Sequence, residues 1–408
     1  MSSLPPPTPH KKYAAPTSPP PRTPLLPYKT NLPYTINLDQ LATHGWLSLP
    51  MTNSSSDPLY SAFYALFSSS ASFLGLPEEE KSKYAKRDAR AYQGSEEGYS
   101  KVPGEKCMIT LRKASTTPDE FELRERSSKA WEASARMMRD VLSAIEESLG
   151  MDEGVLVRTM GPRLEMPKEG EDSVATLLRM FRYDRPTSEG GSRTPVEPRV
   201  VAEAHRDLGL LSLVIGHTPG LECWDPAAEK WVACEENKYS AEGGEAQLTA
   251  TLLAGQTLAK FTNWRYSAGR HRVFVHPASA HSEASTNTSP LTDHRYRYSL
   301  VHAIRAHLPV VVSSSQFITA VTGPCPPELQ FSDVTIGEIY AAISAAHWNV
   351  NISVEERRKQ ELEVQERVRK EREAREAQST GRSRSSRLSW LKGLLHLSRR
   401  RQDAQAVH

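Results

Sequence analysis

Two histidines and an aspartate in this chain have the types and spacing of a metal-ligand set. His205-Arg206-Asp207 is followed 64 residues after Asp207 by His271 (271 − 207), and then by Arg297-Tyr298-Ser299. Fe(II) accepts imidazole nitrogen and carboxylate oxygen readily. A facial set of two His and one Asp leaves the opposite face open for a co-substrate and O2. Downstream, the fixed fork of an arginine with a nearby hydroxyl suits a carboxylate such as that of a keto acid. If these residues converge, the chemistry is iron-dependent oxygenation.

The triplet needs support from its surroundings. With 13 His in 408 residues, about 0.4 His-x-Asp copies arise by accident. Alone it reads better as a capped or salt-bridged surface pair. On a β-strand, however, positions two apart share a face. Leu208 to Ile215 is an apolar run that fits a buried strand. His271 opens Arg272-Val273-Phe274-Val275, a second strand pattern. The third ligand then comes from a separate strand brought near by folding.

Around these residues, ordered blocks accumulate. Ala204 to Leu213 comes first. Pro219-Gly220-Leu221-Glu222-Cys223-Trp224-Asp225 and Lys230-Trp231-Val232 form a hairpin pattern. Gly255-Gln256-Thr257-Leu258, Thr262-Asn263-Trp264-Arg265 and His271-Arg272-Val273 follow. Upstream lie Leu38 to Pro50, Leu76 to Lys81, Gly98-Tyr99-Ser100 and Gly104-Glu105-Lys106. In this order and spacing, roughly residues 33 to 345 resemble the 2-oxoglutarate/Fe(II)-dependent oxygenases of the isopenicillin N synthase-like group.

The resemblance implies a double-stranded β-helix (jelly roll) core, mainly β with flanking helices. It implies that His205, Asp207 and His271 bind Fe(II). It also implies that Arg297 and Ser299 grip the distal carboxylate of 2-oxoglutarate, with Tyr183 helping to hold it. O2 is the remaining co-substrate, and succinate and CO2 the co-products. Two family positions differ. The Asn-x-Tyr element reads Phe181-Arg182-Tyr183, and Trp264 stands where the family has glycine after Thr-Asn. Two insertions are expected as surface loops near the site mouth, Ala278 to Thr292 and about Cys234 to Gln247. Rim loops carry substrate choice. A small-molecule substrate is expected. A keto-acid-independent oxidase and a non-catalytic scaffold recruiting partners through its charged tail remain open alternatives.

The rest of the chain must position these groups. Residues 1–32 hold ten of the 29 prolines and no acid. Such a segment cannot bury a core and is expected to be disordered. Residues 33–168 form an N-terminal region with helical patterns. Pro58 to Leu74 repeats Leu59, Phe63, Leu66 and Phe67; Ser127 to Leu149 carries Trp131, Met137, Val141, Ile145 and Leu149. Residues 169–348 form the jelly-roll domain, with short apolar runs between Gly, Pro and Asp turns from 173 to 312 and a closing helix over Val334 to Trp348.

In residues 349–408, Ser353 to Gln378 alternates charges as i, i+4 pairs such as Glu366 with Lys370 and predicts a long, solvated single helix. Residues 379–408 carry seven basic side chains and one acid, 7 − 1 = +6, around a short amphipathic stretch at Leu388 to Leu397. That tail suits weak contact with an anionic membrane surface or a protein, a nuclear signal, or simple solvation.

Net charge is +2, 51 basic minus 49 acidic, so the core does not advertise a nucleic-acid groove. The four cysteines lack CxxC spacing, which argues against a disulfide scaffold or structural zinc and for a reducing, cytoplasmic setting. A monomer is expected.

Overall fold

The computed structural model describes residues 24–29, 34–51, 57–85, 97–161, 164–171, 174–186, 197–235, 248–277, 293, 295–345 and 349–379. The proline-rich segment 1–23, the loop 278–292 and the basic tail 380–408 lie outside the described residues.

The first elements are β1 (Tyr28–Lys29), β2 (Thr35–Ile36), α1 (Leu38–His44), β3 (Trp46–Met51), α2 (Pro58–Leu74) and α3 (Glu78–Ser82). Then come β4 (Gly98–Val102), β5 (Lys106–Leu111) and α4 (Leu123–Leu149). The next stretch holds β6 (Leu177–Asp184), β7 (Arg199–His205), β8 (Leu211–Gly216), β9 (Leu221–Asp225), β10 (Lys230–Ala233) and β11 (Leu248–Ala254). It closes with α5 (Gln256–Phe261), β12 (His271–Val275) and β13 (Tyr296–Ile304). Last are β14 (Val311–Val312), β15 (Val334–Thr335), α6 (Ile336–Ser344) and α7 (Val354–Ser379).

Both predicted N-terminal helices form. Asp57 starts α2 by accepting the amide of Tyr60 at 3.0 Å, with Pro58 in the first turn, where its missing N–H costs nothing. The second, α4, starts at Leu123, four residues before the apolar stripe suggests, and ends where Gly150 turns left-handed at φ 63°.

Two antiparallel sheets face each other as a jelly roll. The larger has the order β3-β11-β8-β13-β6-β5-β4, the smaller β10-β9-β12-β7. Three strands of the larger sheet, β3, β4 and β5, come from the N-terminal region. Side-chain alternation assigns the two faces of the larger sheet. Leu178, Met180, Leu213, Ile215, Leu252, Tyr298 and Leu300 pack with α2 and α4 in one core. Phe181, Tyr183, Val214 and Leu253 point the other way and meet Val201, Val273, Val275 and Cys223 of the smaller sheet. The even-numbered positions of β13 thus serve the helices. The odd ones, Arg297 and Ser299, face the interior between the sheets.

Helix α6 occupies the core of the predicted closing helix; Ile336 and Ile339 are buried and Thr335 caps it by accepting the amide of Glu338. Among the described residues no helix is long and apolar enough to cross a membrane.

Candidate metal centre and carboxylate clamp

His205 is the last residue of β7 and His271 the first of β12, and they are directly paired across the smaller sheet. Asp207 is not on the same strand as His205. The strand ends at His205, and the chain crosses to the larger sheet before β8 begins at Leu211. Hydrogen bonds from the start of α5 hold that crossing. Gln256 N–H donates to Asp207 O at 2.8 Å and Thr257 Oγ1 to Leu208 O at 2.6 Å. A Cβ on Gly255 would stand 2.1 Å from Gly209 O, so the Gly255-Gln256-Thr257 block is shaped to pack against the Asp207 crossing.

The three side chains converge. The imidazole centroids are 4.2 Å apart, and Asp207 Oδ1 lies 3.9 Å from Nε2 of both His205 and His271. One ligand atom from each lies within 4.8 Å of the others, a spacing that can hold a metal ion. Each Nδ1 faces a backbone carbonyl, His205 to Glu203 O at 2.7 Å and His271 to Gly269 O at 3.2 Å. A carbonyl only accepts, so each Nδ1 carries the proton and each Nε2 keeps its lone pair toward Asp207. His271 is nearly enclosed, with 6% of its side chain exposed, whereas His205 and Asp207 retain 21% and 24%. One side of the group is open to a ligand.

The electrostatics favour the metal-binding protonation states. Burial, then the neighbouring His271, pushes the His205 imidazole well below its ordinary value, which keeps it neutral. Burial works against the Asp207 carboxylate, but its surroundings, the facing His271 foremost, outweigh it and hold the carboxyl below its usual range. A neutral imidazole at His205 and an ionised carboxylate at Asp207 are forms in which these side chains ligate Fe(II).

Arg297 and Ser299 project from β13 into the interior, and Tyr183 is the β6 residue paired with Arg297. The guanidinium carbon of Arg297 sits 5.5 Å from the Tyr183 ring centroid. Burial raises the Tyr183 hydroxyl far above its ordinary range, so it stays protonated. Phe181 stacks on Tyr183 at 5.3 Å and 14° and sets an apolar wall beside it.

The clamp holds a carboxylate of the protein itself. Arg297 Nη2 donates to Glu235 Oε2 at 2.7 Å and Oε1 at 3.0 Å, and both side chains are 0% exposed. Arg297 Nε donates to Thr218 O at 3.1 Å, and Leu221 N–H donates to Glu235 Oε2 at 2.9 Å. Arg297 Nη1 is buried with no hydrogen-bond partner among the described residues. The sequence pattern places Glu235 in an exposed insertion beginning at Cys234. Both residues are instead buried, and only residues 236–247 fall outside the described chain. The glutamate-rich sequence after 235 masks the signal; the buried Cys234 beside it is the one hint that the strand's interior packing continues.

Glu203 and Arg357 also escape a reading of the sequence. Glu203 supplies the carbonyl that orients His205. Its carboxylate lies 3.2 Å from Arg357 on α7, which also pairs with Glu105 at 2.7 Å. Lys106 is buried beside them, 3.1 Å from Glu105; burial lowers its ammonium to about 8 despite that carboxylate. Trp264 has φ 58°, a left-handed conformation that favours glycine. The groove of about 950 Å³ lined by Ala62, Arg126, Lys129 and Met137 lies on α2 and α4, on the helical side of the larger sheet, and takes no part in this centre.

No family model matches the chain, and no curated protein matches it. Solved structures do. A full-length Neurospora crassa protein, in complex with alpha-KG and 5-formyluracil, is 20% identical at a TM-score of 0.54, covering 76% of this chain and 88% of that one. The complex of that protein with alpha-KG and thymine is 18% identical at 0.53, covering 76% and 89%. A putative 2OG-Fe(II) oxygenase family protein from Caulobacter crescentus is 18% identical at 0.47, covering 72% and 88%. The chain therefore shares the jelly-roll fold of the Neurospora crassa protein solved with alpha-KG. Within that fold His205, Asp207 and His271 meet at a point suited to a metal ion.

Proposed function

We propose that this protein is a 2-oxoglutarate- and Fe(II)-dependent oxygenase acting on a small molecule. The observation that carries the reading is the convergence of the His205, Asp207 and His271 ligand atoms within 4.8 Å, inside a jelly roll, with both Nδ1 protons committed to carbonyls. In this reading the three side chains hold Fe(II). Bound there, iron activates O2 so that 2-oxoglutarate is decarboxylated to succinate and CO2 while a substrate C–H bond is hydroxylated or desaturated. The chain's own groups bind, orient and exclude water. Glu203 O and Gly269 O fix the imidazoles, Arg297 with Ser299 and Tyr183 receives the distal carboxylate, and Phe181 dries that wall.

The motif blocks support placement near the isopenicillin N synthase-like group, and the thymine and 5-formyluracil in the Neurospora crassa complexes support a small-molecule substrate class. We read the unit as a monomer with a domain order of N-terminal region, jelly roll and charged C-terminal helix. The four unbridged cysteines support a reducing cytoplasmic setting. The basic tail is assigned weak surface contact or targeting; a uniformly diffuse reporter fused to residues 379–408 discards both roles.

A second reading, a keto-acid-independent Fe(II) oxidase, draws support from the Arg297–Glu235 ion pair, which partly occupies the clamp. A non-catalytic scaffold has less support, because it has no use for three converging ligands. The test is iron-dependent conversion of 2-oxoglutarate to succinate by the full chain. Succinate from the wild type and none from His271→Ala supports the reading. Stoichiometric anaerobic Fe(II) binding without any succinate favours the oxidase. Absence of both metal binding and turnover refutes the enzyme.

A further inference from the structure

Resting on the 2-oxoglutarate reading, we infer that Glu235 is a specificity-determining residue: an internal carboxylate that pre-occupies Arg297 and weakens the grip on the distal carboxylate of the keto acid. The geometry is built for this pair. Glu235 spends both oxygens on Arg297 Nη2, at 2.7 and 3.0 Å, and takes a third hydrogen bond from Leu221 N–H at 2.9 Å. A Cβ on Gly216 would lie 2.2 Å from Glu235 Oε1, and one on Gly220 2.5 Å from Arg297 Nε. Both glycines therefore leave room for the ion pair itself.

The pair also sits where the keto acid's far end is expected. A Cβ on Gly220 would meet both Arg297 Nε and the carbonyl of Phe274, each at 2.5 Å, which puts the guanidinium near Phe274, three residues along β12 from His271. Three residues of strand span roughly 10 Å, a distance that a metal-chelating five-carbon diacid and its carboxylate-to-guanidinium contact bridge together. The nearby Arg185 does not relieve the crowding. Its donors go to neutral acceptors: Tyr296 O at 3.3 Å, His276 O at 3.2 Å and Thr218 Oγ1 at 2.9 Å.

The guanidinium of Arg297 thus reaches the co-substrate already neutralised, with Nη1 as its unpartnered nitrogen among the described residues. A second carboxylate binds there by one nitrogen and hydroxyls rather than by the two-pronged fork. It also meets the charge of Glu235. Two carboxylates about 6 Å apart at an effective dielectric near 20 repel by roughly a hundredfold in Kd, of which relaxation removes a part.

The experiment is calorimetric titration of the Mn(II)-loaded full chain with 2-oxoglutarate and with 2-oxobutyrate, a shorter keto acid without a distal carboxylate. Wild type is compared with Glu235→Gln. Glutamine keeps an acceptor oxygen for Leu221 N–H or Arg297 Nη2 and removes the charge; circular dichroism confirms the fold. The expected result is 2-oxoglutarate binding at least about tenfold tighter in E235Q, with 2-oxobutyrate changed less than about twofold. In the wild type alone, the distal carboxylate should improve binding by less than about tenfold. Unchanged or weaker 2-oxoglutarate binding in E235Q overturns the inference and makes Glu235 a positioning residue for Arg297. A wild-type preference for 2-oxoglutarate above roughly a hundredfold overturns it independently of the variant. Binding of Mn(II) but of neither keto acid refutes the 2-oxoglutarate reading and this inference with it.

Discussion

Replacing Gly216 by alanine puts the buried clamp under a defined stress. The added methyl would stand 2.2 Å from Glu235 Oε1, 2.5 Å from Arg297 Nη2 and 2.8 Å from Glu235 Cδ. None of these atoms can retreat easily. Both side chains are fully enclosed, and Glu235 is tied to the backbone at Leu221. The ion pair must open or the end of β8 must shift away from Ser299, its partner in register. Separating a buried, hydrogen-bonded ion pair costs about 3–5 kcal/mol. Exchanging glycine for alanine returns up to about 1 kcal/mol by restricting the unfolded chain. The net destabilisation is roughly 2–4 kcal/mol, and at about 1–2 °C per kcal/mol for a chain of this size that lowers Tm by roughly 2–8 °C. Thermal unfolding followed by circular dichroism measures it. Gly337→Ala is the control. It lies in α6 with nothing nearer than 3.5 Å to the new methyl, so it should be neutral or stabilising by up to about 1 kcal/mol. A G216A protein that melts at or above the wild-type temperature would refute the packing argument for the clamp.

Three further outcomes are expected. Asp207→Ala should lose stoichiometric anaerobic Fe(II) binding while keeping the wild-type far-UV spectrum; a one-to-one iron content in that variant refutes the ligand assignment. Phe63→Ala, at a site with 0% exposure in the helical core, should destabilise by about 3–5 kcal/mol in urea titrations yet leave metal per folded molecule unchanged; iron loss in step with stability would tie the two regions together. The His302 imidazole, 0% exposed and hydrogen-bonded to Ser134 at 2.6 Å, is pushed down to about 3 by burial. Its folded value lies below its unfolded one, so the neutral ring stabilises the fold fully above pH ~6.5, and that contribution is lost as pH falls toward about 3. Wild type should therefore lose stability up to about 1.4 kcal/mol per pH unit faster than His302→Asn in that window; parallel pH profiles from urea midpoints would discard the assignment.

Much of this protein is legible in its residues one stretch at a time. The types of His205, Asp207, His271, Arg297 and Ser299 announce iron and carboxylate chemistry because few other side chains can ligate or pair in those ways. Period-3.6 apolar spacing locates α2 to its ends, since Asp57, Pro58 and Gly75 are local start and stop signals. Alternation also explains why Arg297 and Ser299 share a face. These are properties of short segments, so neighbouring residues are enough to fix them.

What crosses between elements is not legible in that way. His205 and Asp207 meet through a sheet-to-sheet crossing braced by α5, not through one strand's alternation, because the hydrogen bonds that shape the crossing come from residues 49 positions away. Glu235 is 62 residues from Arg297, in a stretch whose glutamates and glycines resemble a solvated loop. Only the folded sandwich removes water from both charges and makes them partners. Residue types and their order thus set which chemistry this chain can carry. Folding sets how the metal ligands are oriented and puts a carboxylate in the clamp, because burial and long-range pairing exist only after the two sheets have closed on each other.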